Sequence, residues 1–311
     1  MACLPLFCHQ FISQAAVFYR LCYTSRMPEK IALVTGASSG FGLLTSIELA
    51  KAGFRVVATM RDLARRDRLE HAVAAAGVAA QFDIRALDVT KFDTIQRFVD
   101  GVVSDYGRLD VLVNNAGFAV AGFAEDIKLD ELRLQFETNF FGAVAMTKAV
   151  LPTMRRQHSG HIIQVSSIAG LHGSVTVSSY SASKHALEGW SESLRHELRP
   201  HGVEVTIVEP GGHRTKFSEN ARWPAQQLDA WAKQRQSFRA FRERLVTRPG
   251  ASPETVAERI AAIASSKSAM PLRVRIGHDA RTAWLVRRLL PSRVADKLMA
   301  RAIDRMTGAT S

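Results

Sequence analysis

Tyr180 and Lys184 stand four positions apart in the stretch YSASK, with only Ser181, Ala182 and Ser183 between them. On a helix that spacing places a phenol and an amine on one face, about one turn apart, and the small residues leave room for a close neighbour. An ammonium beside a phenol favours the phenolate, so the pair reads as a tuned acid, its proton affinity drawn from near ~10 toward working pH. The same pair also occurs on solvated helix faces, so its meaning depends on the elements that carry it.

A second constellation is TGASSGFG, residues 35–42. It follows an apolar run and opens a helix, the arrangement in which glycines let the main chain approach a pyrophosphate at a helix N-terminus. Gly36, Gly40 and Gly42 are the contact glycines, and Ser38, Ser39 and Phe41 complete the turn. The spacing G-x-x-x-G-x-G departs from the commoner G-x-G-x-x-G, so its position after the first strand carries the reading.

The elements that must position these groups are legible as apolar, β-branched runs: IALVT (31–35), RVVAT (55–59), IRALD (84–88), VLVNN (111–115), HIIQVSS (161–167), VEVTIVE (203–209) and RVRIG (273–277). Strands that are apolar throughout are expected where helices cover both faces of a parallel sheet. One long helix is predicted from about Asp130 to His158, and another from near Ser179, which puts YSASK in its opening turn. The fold predicted is α/β: a doubly wound, Rossmann-type parallel sheet of seven strands in a single domain over 27–280. A basic segment, 281–311, follows it. Residues 1–26 are an extension, expected to be a disordered leader or a mis-assigned start at Met1 in place of Met27.

TGASSGFG, LDVT, NNAG (114–117), the asparagine of ETNFFG, SSIAG (166–170), YSASK and PGGHRT (210–215) come in the order and approximate spacing of the short-chain dehydrogenase/reductases. The resemblance covers about residues 29–277 and is nearest the subgroup of 17β-hydroxysteroid and retinol dehydrogenases. It implies an enzyme that moves hydride between a nicotinamide and a CH–OH or C=O carbon. Tyr180 is then the general acid or base, and Lys184 lowers its pKa and binds the nicotinamide ribose. The family's serine lies thirteen residues before the tyrosine, so Ser167 is expected to donate to the substrate oxygen, while Ser166 merely ends the strand. Asn139 completes the tetrad by holding a water that links Lys184 to solvent. The resemblance also assigns Asp88 to the adenine amine, Asn115 and Gly117 to the cofactor wall, Pro210 and Gly211 to cofactor binding, and Thr215 to the nicotinamide carboxamide. It implies a homo-oligomer, a dimer or tetramer.

Charge separates the two forms of the cofactor. An acid at the end of the second strand accepts from the ribose hydroxyls of NAD and repels a 2'-phosphate. Here that end reads ATMRD, with Met60 at the acid's position and Arg61 after it, so NADP(H) is expected over NAD(H). The segments expected to border the substrate, 118–123, 170–177 and about 213–246, are mostly apolar, which favours a hydrophobic alcohol, ketone or aldehyde. His172 and His213 are read as loop histidines.

Composition bounds the rest. With 311 residues, 47% hydrophobic and 23% charged, the chain has the make-up of a globular protein. It has no run of eighteen apolar residues, so no transmembrane span is expected, whereas peripheral membrane contact stays open. The three cysteines all fall within residues 1–22, so no disulfide framework is expected, and the protein is placed in the cytoplasm. No metal site and no nucleic-acid partner is expected. The net charge of +12 is concentrated: residues 222–311 hold 18 Lys and Arg against 7 Asp and Glu. Near the end, Arg293, Lys297, Arg301 and Arg305 recur every four residues beside Val294, Leu298, Ala302 and Met306, a basic amphipathic helix whose apolar stripe is expected to pack on the main domain. Two alternatives are a 3-oxoacyl thioester reductase, whose acidic carrier would be drawn to this basic surface, and a non-catalytic NADP-binding protein, which the intact tetrad disfavours.

Overall fold

The structure, a computed structural model, describes residues 29–213, 221–247 and 251–307. Seven parallel strands form one sheet: β1 (Ile31–Val34), β2 (Arg55–Met60), β3 (Phe82–Ala86), β4 (Val111–Asn114), β5 (Gly160–Val165), β6 (Val203–Pro210) and β7 (Arg273–Ile276). Their order is β3-β2-β1-β4-β5-β6-β7, so the chain reverses direction across the sheet between β1 and β4. All seven coincide with the apolar runs of the sequence.

Alternate residues of the inner strands enter two different cores. On one face Ala32, Val34, Val56, Val113 and Ile163 meet α1 (Gly40–Lys51), α2 (Asp67–Ala75) and α8 (Glu254–Ser265). On the other, Ile31, Leu33, Val57, Leu112 and Ile162 meet α3 (Phe92–Tyr106), α5 (Gly142–Gln157) and α6 (Ser178–Leu198). This double burial is the reason the inner strands show little polar alternation, whereas the edge strands β3 (FDIRA) and β7 (RVRI) alternate.

Three expectations change. The helix predicted over 130–158 is α4 (Leu129–Phe136), a π-turn (Glu137–Phe141) and α5, so Asn139 sits on a widened turn rather than mid-helix. An inserted residue of this kind turns side chains out of the regular i to i+4 register and is frequent at functional sites. β3 ends at Ala86, which leaves Asp88 in the following loop.

The third change concerns the C-terminal segment, which forms α9 (His278–Leu289) and α10 (Ser292–Thr307). α10 packs on α7 (Ala232–Thr247). Its half-buried face is Ala295, Met299 and Ile303, whereas Val294 and Leu298 of the expected stripe are each 44% exposed. The stripe at i, i+4 was one residue out of phase, because both rows contain apolar residues at helical spacing. The side chains of Ala302, Arg305 and Met306 lie outside the described ones, as does the extension 1–26.

Candidate active site

A cleft of about 470 Å³ opens beyond the C-terminal ends of β1, β2, β3 and β4, where the strand order reverses. Its floor is the turn 35–42. Gly36 and Gly40 hold left-handed φ of 71° and 57°. A Cβ on Gly36 would stand 2.9 Å from Ala116 Cα, and one on Gly42 would collide with the Gly36 carbonyl and the Asn115 amide. Asn115 ties the turn to β4: its Nδ2 donates to Thr35 O at 2.9 Å and to Gly36 O at 3.1 Å. Ser39 is the N-cap of α1 but makes no side-chain capping bond. The helix's first N–H groups therefore have no capping side chain competing for them, and the cradle fits a dinucleotide pyrophosphate.

The walls come from four loops. Ser38, Phe41, Met60, Arg61, Asp62 and Arg65 line one side. Asp62 accepts from Ala64 N at 2.9 Å and so caps the short turn Leu63–Arg65, which carries Arg65 back to the cleft beside Arg61. Asp88 accepts from Thr90 N (3.0 Å) and Thr90 Oγ1 (2.7 Å), a local turn that holds its carboxylate at the rim. On the far side stand Asn115, Gly117, Phe118, Thr138 and Arg222. The Arg222 guanidinium lies 4.8 Å from the centre of the Phe118 ring.

Beside this cleft the structure brings Asn139, Ser167, Tyr180 and Lys184 together. Tyr180, in the first turn of α6, is 8% exposed, and Lys184 is 5% exposed. The Ser167 side chain hydrogen-bonds the phenol, and Ser167 Oγ also accepts from Ala169 N at 3.1 Å. Lys184 Nζ lies 5.8 Å from the centre of the Tyr180 ring and donates to Val165 O at 2.8 Å. Asn139 reaches α6 through Ser183 Oγ (3.1 Å), which donates in turn to Tyr180 O at 2.7 Å. Its amide also accepts from Phe118 N at 3.1 Å and donates to Phe118 O at 2.9 Å. Through Nδ2 and Oδ1 the Asn139 amide thus also fastens the main chain of Phe118 in the cleft wall.

The electrostatics also differ from the expectation of a lysine-depressed phenol. Burial pushes the Tyr180 phenol up to about 12, opposed by the bond from Ser167. Burial likewise pushes Lys184 down to about 8, opposed by the charge of Glu188. Desolvation outweighs the serine hydrogen bond at Tyr180 and the glutamate charge at Lys184, because both groups lie beneath the surface.

Sequence reading missed several residues. Ser166, taken as a strand end, donates its hydroxyl to Glu188 Oε1 at 2.6 Å, and buried Glu188 pairs with Arg273 of β7. Glu188 continues the Tyr180, Lys184 spacing by one more turn, a signal that was present. Arg65 likewise follows Arg61 by four. Arg222 gave no signal, because it arrives from a distant loop that pairs with Val120.

On the substrate side Ala119, Ala169, Val177 and Ala221 pack around Tyr180. The segment leading into α7 is fastened over this region: Phe123 stacks on Trp231 at 4.6 Å, and buried Asp126 accepts from Arg235 (3.1 Å) and from Leu228 N (2.8 Å). Gly211 N donates to Ile276 O at 2.8 Å just after Pro210, and Gly212 N donates to Asp279. His213 sits edge-on to Phe41 at 5.7 Å, and His172 contacts the carbonyl of Gly173. Thr215 lies outside the described residues.

Residues 30–225 match the family described as short chain dehydrogenase. The chain is 42% identical over 270 residues to the uncharacterized oxidoreductase YusZ of Bacillus subtilis (strain 168), covering 85% of this chain and 95% of that protein. It is 40% identical over 194 residues to a 3-ketodihydrosphingosine reductase of Bacteroides thetaiotaomicron (62% and 68% covered) and 37% over 253 residues to retinol dehydrogenase 8 of Bos taurus (78% and 80%). Among solved structures, a short-chain dehydrogenase from Streptomyces avermitilis matches with a TM-score of 0.73 at 36% identity, covering 91% of this chain and 99% of that one. A metagenomic short-chain oxidoreductase in complex with NADP matches at 0.63 and 30% (79% and 96%). A short-chain dehydrogenase/reductase from Burkholderia phymatum in complex with NAD matches at 0.71 and 26% (83% and 92%). With its sheet order, its glycine cradle and these matches, the chain belongs to the short-chain dehydrogenase/reductase family, oxidoreductases that act on CH–OH or C=O groups with NAD(P).

Proposed function

We propose that the protein transfers hydride between NADP(H) and the carbonyl or alcohol carbon of an apolar, lipid-like substrate, with Tyr180 as general acid and base. The observation that carries this reading is the buried phenol held by Ser167 among Ala119, Ala169, Val177 and Ala221. NADPH, when bound, supplies the hydride that the carbonyl carbon receives. Tyr180 gives its proton to the carbonyl oxygen while Ser167 donates a hydrogen bond to the same oxygen, so the product is the neutral alcohol and the phenolate remains beside Lys184. A phenol held near 12 is fully protonated at neutral pH, which suits it to donate in the direction of reduction. Lys184 would bind the ribose hydroxyls, and Asp88, Asn115, Gly117, Pro210, Gly211 and Thr215 would border the cofactor.

Support for NADP(H) comes from charge. Arg61 and Arg65 line the cleft at the end of β2, where the adjacent carboxylate, Asp62, is engaged as a cap. Two guanidinium groups can take a 2'-phosphate through paired hydrogen bonds. Support for a lipid-like substrate comes from the apolar surroundings of Tyr180, and the retinol and ketosphingoid names of two relatives point the same way. The reading includes a cytoplasmic homo-oligomer. Among the described residues no helix is long and apolar enough to cross a membrane.

The test is a hydride-transfer screen with NADPH and NADH against retinoids, steroids, long-chain aldehydes, 3-keto sphingoid bases and 3-oxoacyl thioesters. Turnover of an apolar carbonyl with preference for NADPH is expected. Turnover confined to carrier-bound thioesters would favour the thioester reductase, and a preference for NADH would overturn the cofactor assignment.

A further inference from the structure

We propose that α9 and α10 form a docking surface for an anionic lipid bilayer. Eight large hydrophobic side chains are exposed among the described residues, and four of them, Leu285 (44%), Leu289 (72%), Val294 (44%) and Leu298 (44%), fall within the stretch 285–298. Scattered exposed leucines need no explanation, but a concentration in one segment marks a surface that meets something apolar.

Charge identifies what it meets. Arg281, Arg288, Arg293, Lys297 and Arg301 are exposed on the same two helices. Among the described residues no salt bridge engages any of these five, and Arg288 contacts only the Trp284 ring, at 5.9 Å. A second copy of this chain would bring a like-charged face against them, at an electrostatic cost. An acidic carrier protein would satisfy the arginines but leave Leu289 and Leu298 without an apolar partner. An anionic bilayer satisfies both: phosphate and carboxylate headgroups take the cations, while the leucines enter the acyl boundary. The inward face, Ala295, Met299 and Ile303, already holds α10 on the protein, so the outward residues are not needed for its packing.

The surface adjoins the segments around Tyr180. α10 lies on α7, and Arg287 Nη1 of α9 donates to Leu171 O at 2.6 Å. A docked enzyme would thus hold its substrate side near the membrane, a corollary that rests on the lipid-like substrate proposed above. Docking itself does not rest on it, since vesicle binding requires no turnover.

The experiment is co-sedimentation of the full chain with phosphatidylcholine vesicles, with and without phosphatidylserine. Variants are the charge reversal Arg293→Glu/Lys297→Glu/Arg301→Glu and the apolar deletion Leu285→Ser/Leu289→Ser/Leu298→Ser, with NADPH binding measured to check the fold. Wild type is expected to bind only vesicles that contain phosphatidylserine. Each basic residue near such a surface is worth about fivefold in partition, so the charge reversal should weaken binding at least ~100-fold. The leucine variant should lose about tenfold or more with NADPH binding intact. The proposal fails if wild type ignores anionic vesicles, if either variant binds like wild type, or if the leucine substitutions instead split a dimer in solution.

Discussion

Lys184 Nζ donates to the carbonyl of Val165 at 2.8 Å, so a helix side chain is fastened to the main chain of the strand that leads into Ser167. The contact is one of three in register. On successive turns of α6, Tyr180 bonds Ser167, Glu188 takes the hydroxyl of Ser166, and Lys184 takes the carbonyl of Val165. Three consecutive residues at the end of β5 are thus held by three residues spaced i, i+4 and i+8, which fixes the phenol against the serine to within a hydrogen bond.

Glu188 is therefore expected to act on the reaction through Lys184 and Ser166 without touching substrate. Its charge raises the proton affinity of Lys184, which burial has lowered to about 8. The other charged groups around Glu188 are Arg273, which pairs with Glu188, Glu192 and Glu209, and Arg275, which pairs with Glu209. Glu188→Gln keeps a hydrogen-bonding partner for Ser166 but removes the charge, so Lys184 should lose its proton at lower pH. The alkaline limb of the kcat profile for reduction, expected near pH 8, should move down, with KM for NADPH changed less than about threefold. An unmoved limb would make Glu188 purely structural.

Tyr180→Phe removes only the phenolic oxygen from a packed site. Reductive kcat is expected to fall by ~10²- to 10⁴-fold while the dissociation constant for NADPH, read by fluorescence, stays near wild type. Retention of more than about a tenth of wild-type kcat would contradict the assignment.

Much of this site was readable because local constraints carried it. The inner strands showed as near-continuous apolar runs because both faces of the sheet are covered there, and Gly36 and Gly42 were marked by a turn that leaves no space for a Cβ. The π-turn at Asn139 was hidden because its residues have the same helical periodicity as their neighbours. Arg222 and Asp126 were hidden for a different reason: each acts with partners brought together only by tertiary folding, Phe118 in one case and Arg235 in the other. The packed face of α10 was misjudged by one position because two adjacent rows are both apolar enough to pack.

Asp126 and Arg235 form a pair that is buried on both sides, with side-chain exposures of 1% and 11%. Removing one partner of such a pair costs about 3–5 kcal/mol, because the remaining charge is left in a desolvated site. Asp126→Asn should loosen the segment 225–247 rather than the sheet. Faster proteolysis within that segment and a raised KM for the apolar substrate are expected, with NADPH affinity unchanged. Global unfolding at the same denaturant concentration as wild type would accompany this outcome, and loss of NADPH binding would contradict it.

His161 predicts an acid limit to stability. It is buried on β5 with Nε2 2.9 Å from Thr206 Oγ1, and burial lowers its pKa from 6.5 to about 4, with the charge of Arg195 adding to the effect. Between these values the unfolded chain binds a proton that the folded chain refuses. Stability contributed by the neutral ring is thus complete above pH 6.5 and lost as pH falls through about 4. The loss is of order 3 kcal/mol at most. His161→Gln should show a shallower fall in Tm from pH 6.5 to 4 than wild type, and parallel curves would exclude His161 as the cause.

The proposed preference for NADPH rests on the arginines at the end of β2. If Arg61 and Arg65 hold a 2'-phosphate, each single alanine substitution should raise KM for NADPH and leave KM for NADH nearly unchanged, since only NADPH has the group to lose. A charge-assisted hydrogen bond of about 1.5–3 kcal/mol corresponds to roughly 10- to 150-fold in affinity. Both side chains are exposed, so solvent screening puts the expectation for each at the lower end of that range. Met60→Asp should push the preference further toward NADH, because Met60 is the last residue of β2 and lines the same cleft. A carboxylate there repels the phosphate and accepts from the ribose hydroxyls. Equal losses for NADPH and NADH in Arg61→Ala and Arg65→Ala would mean that the two arginines shape the loop and do not read the phosphate.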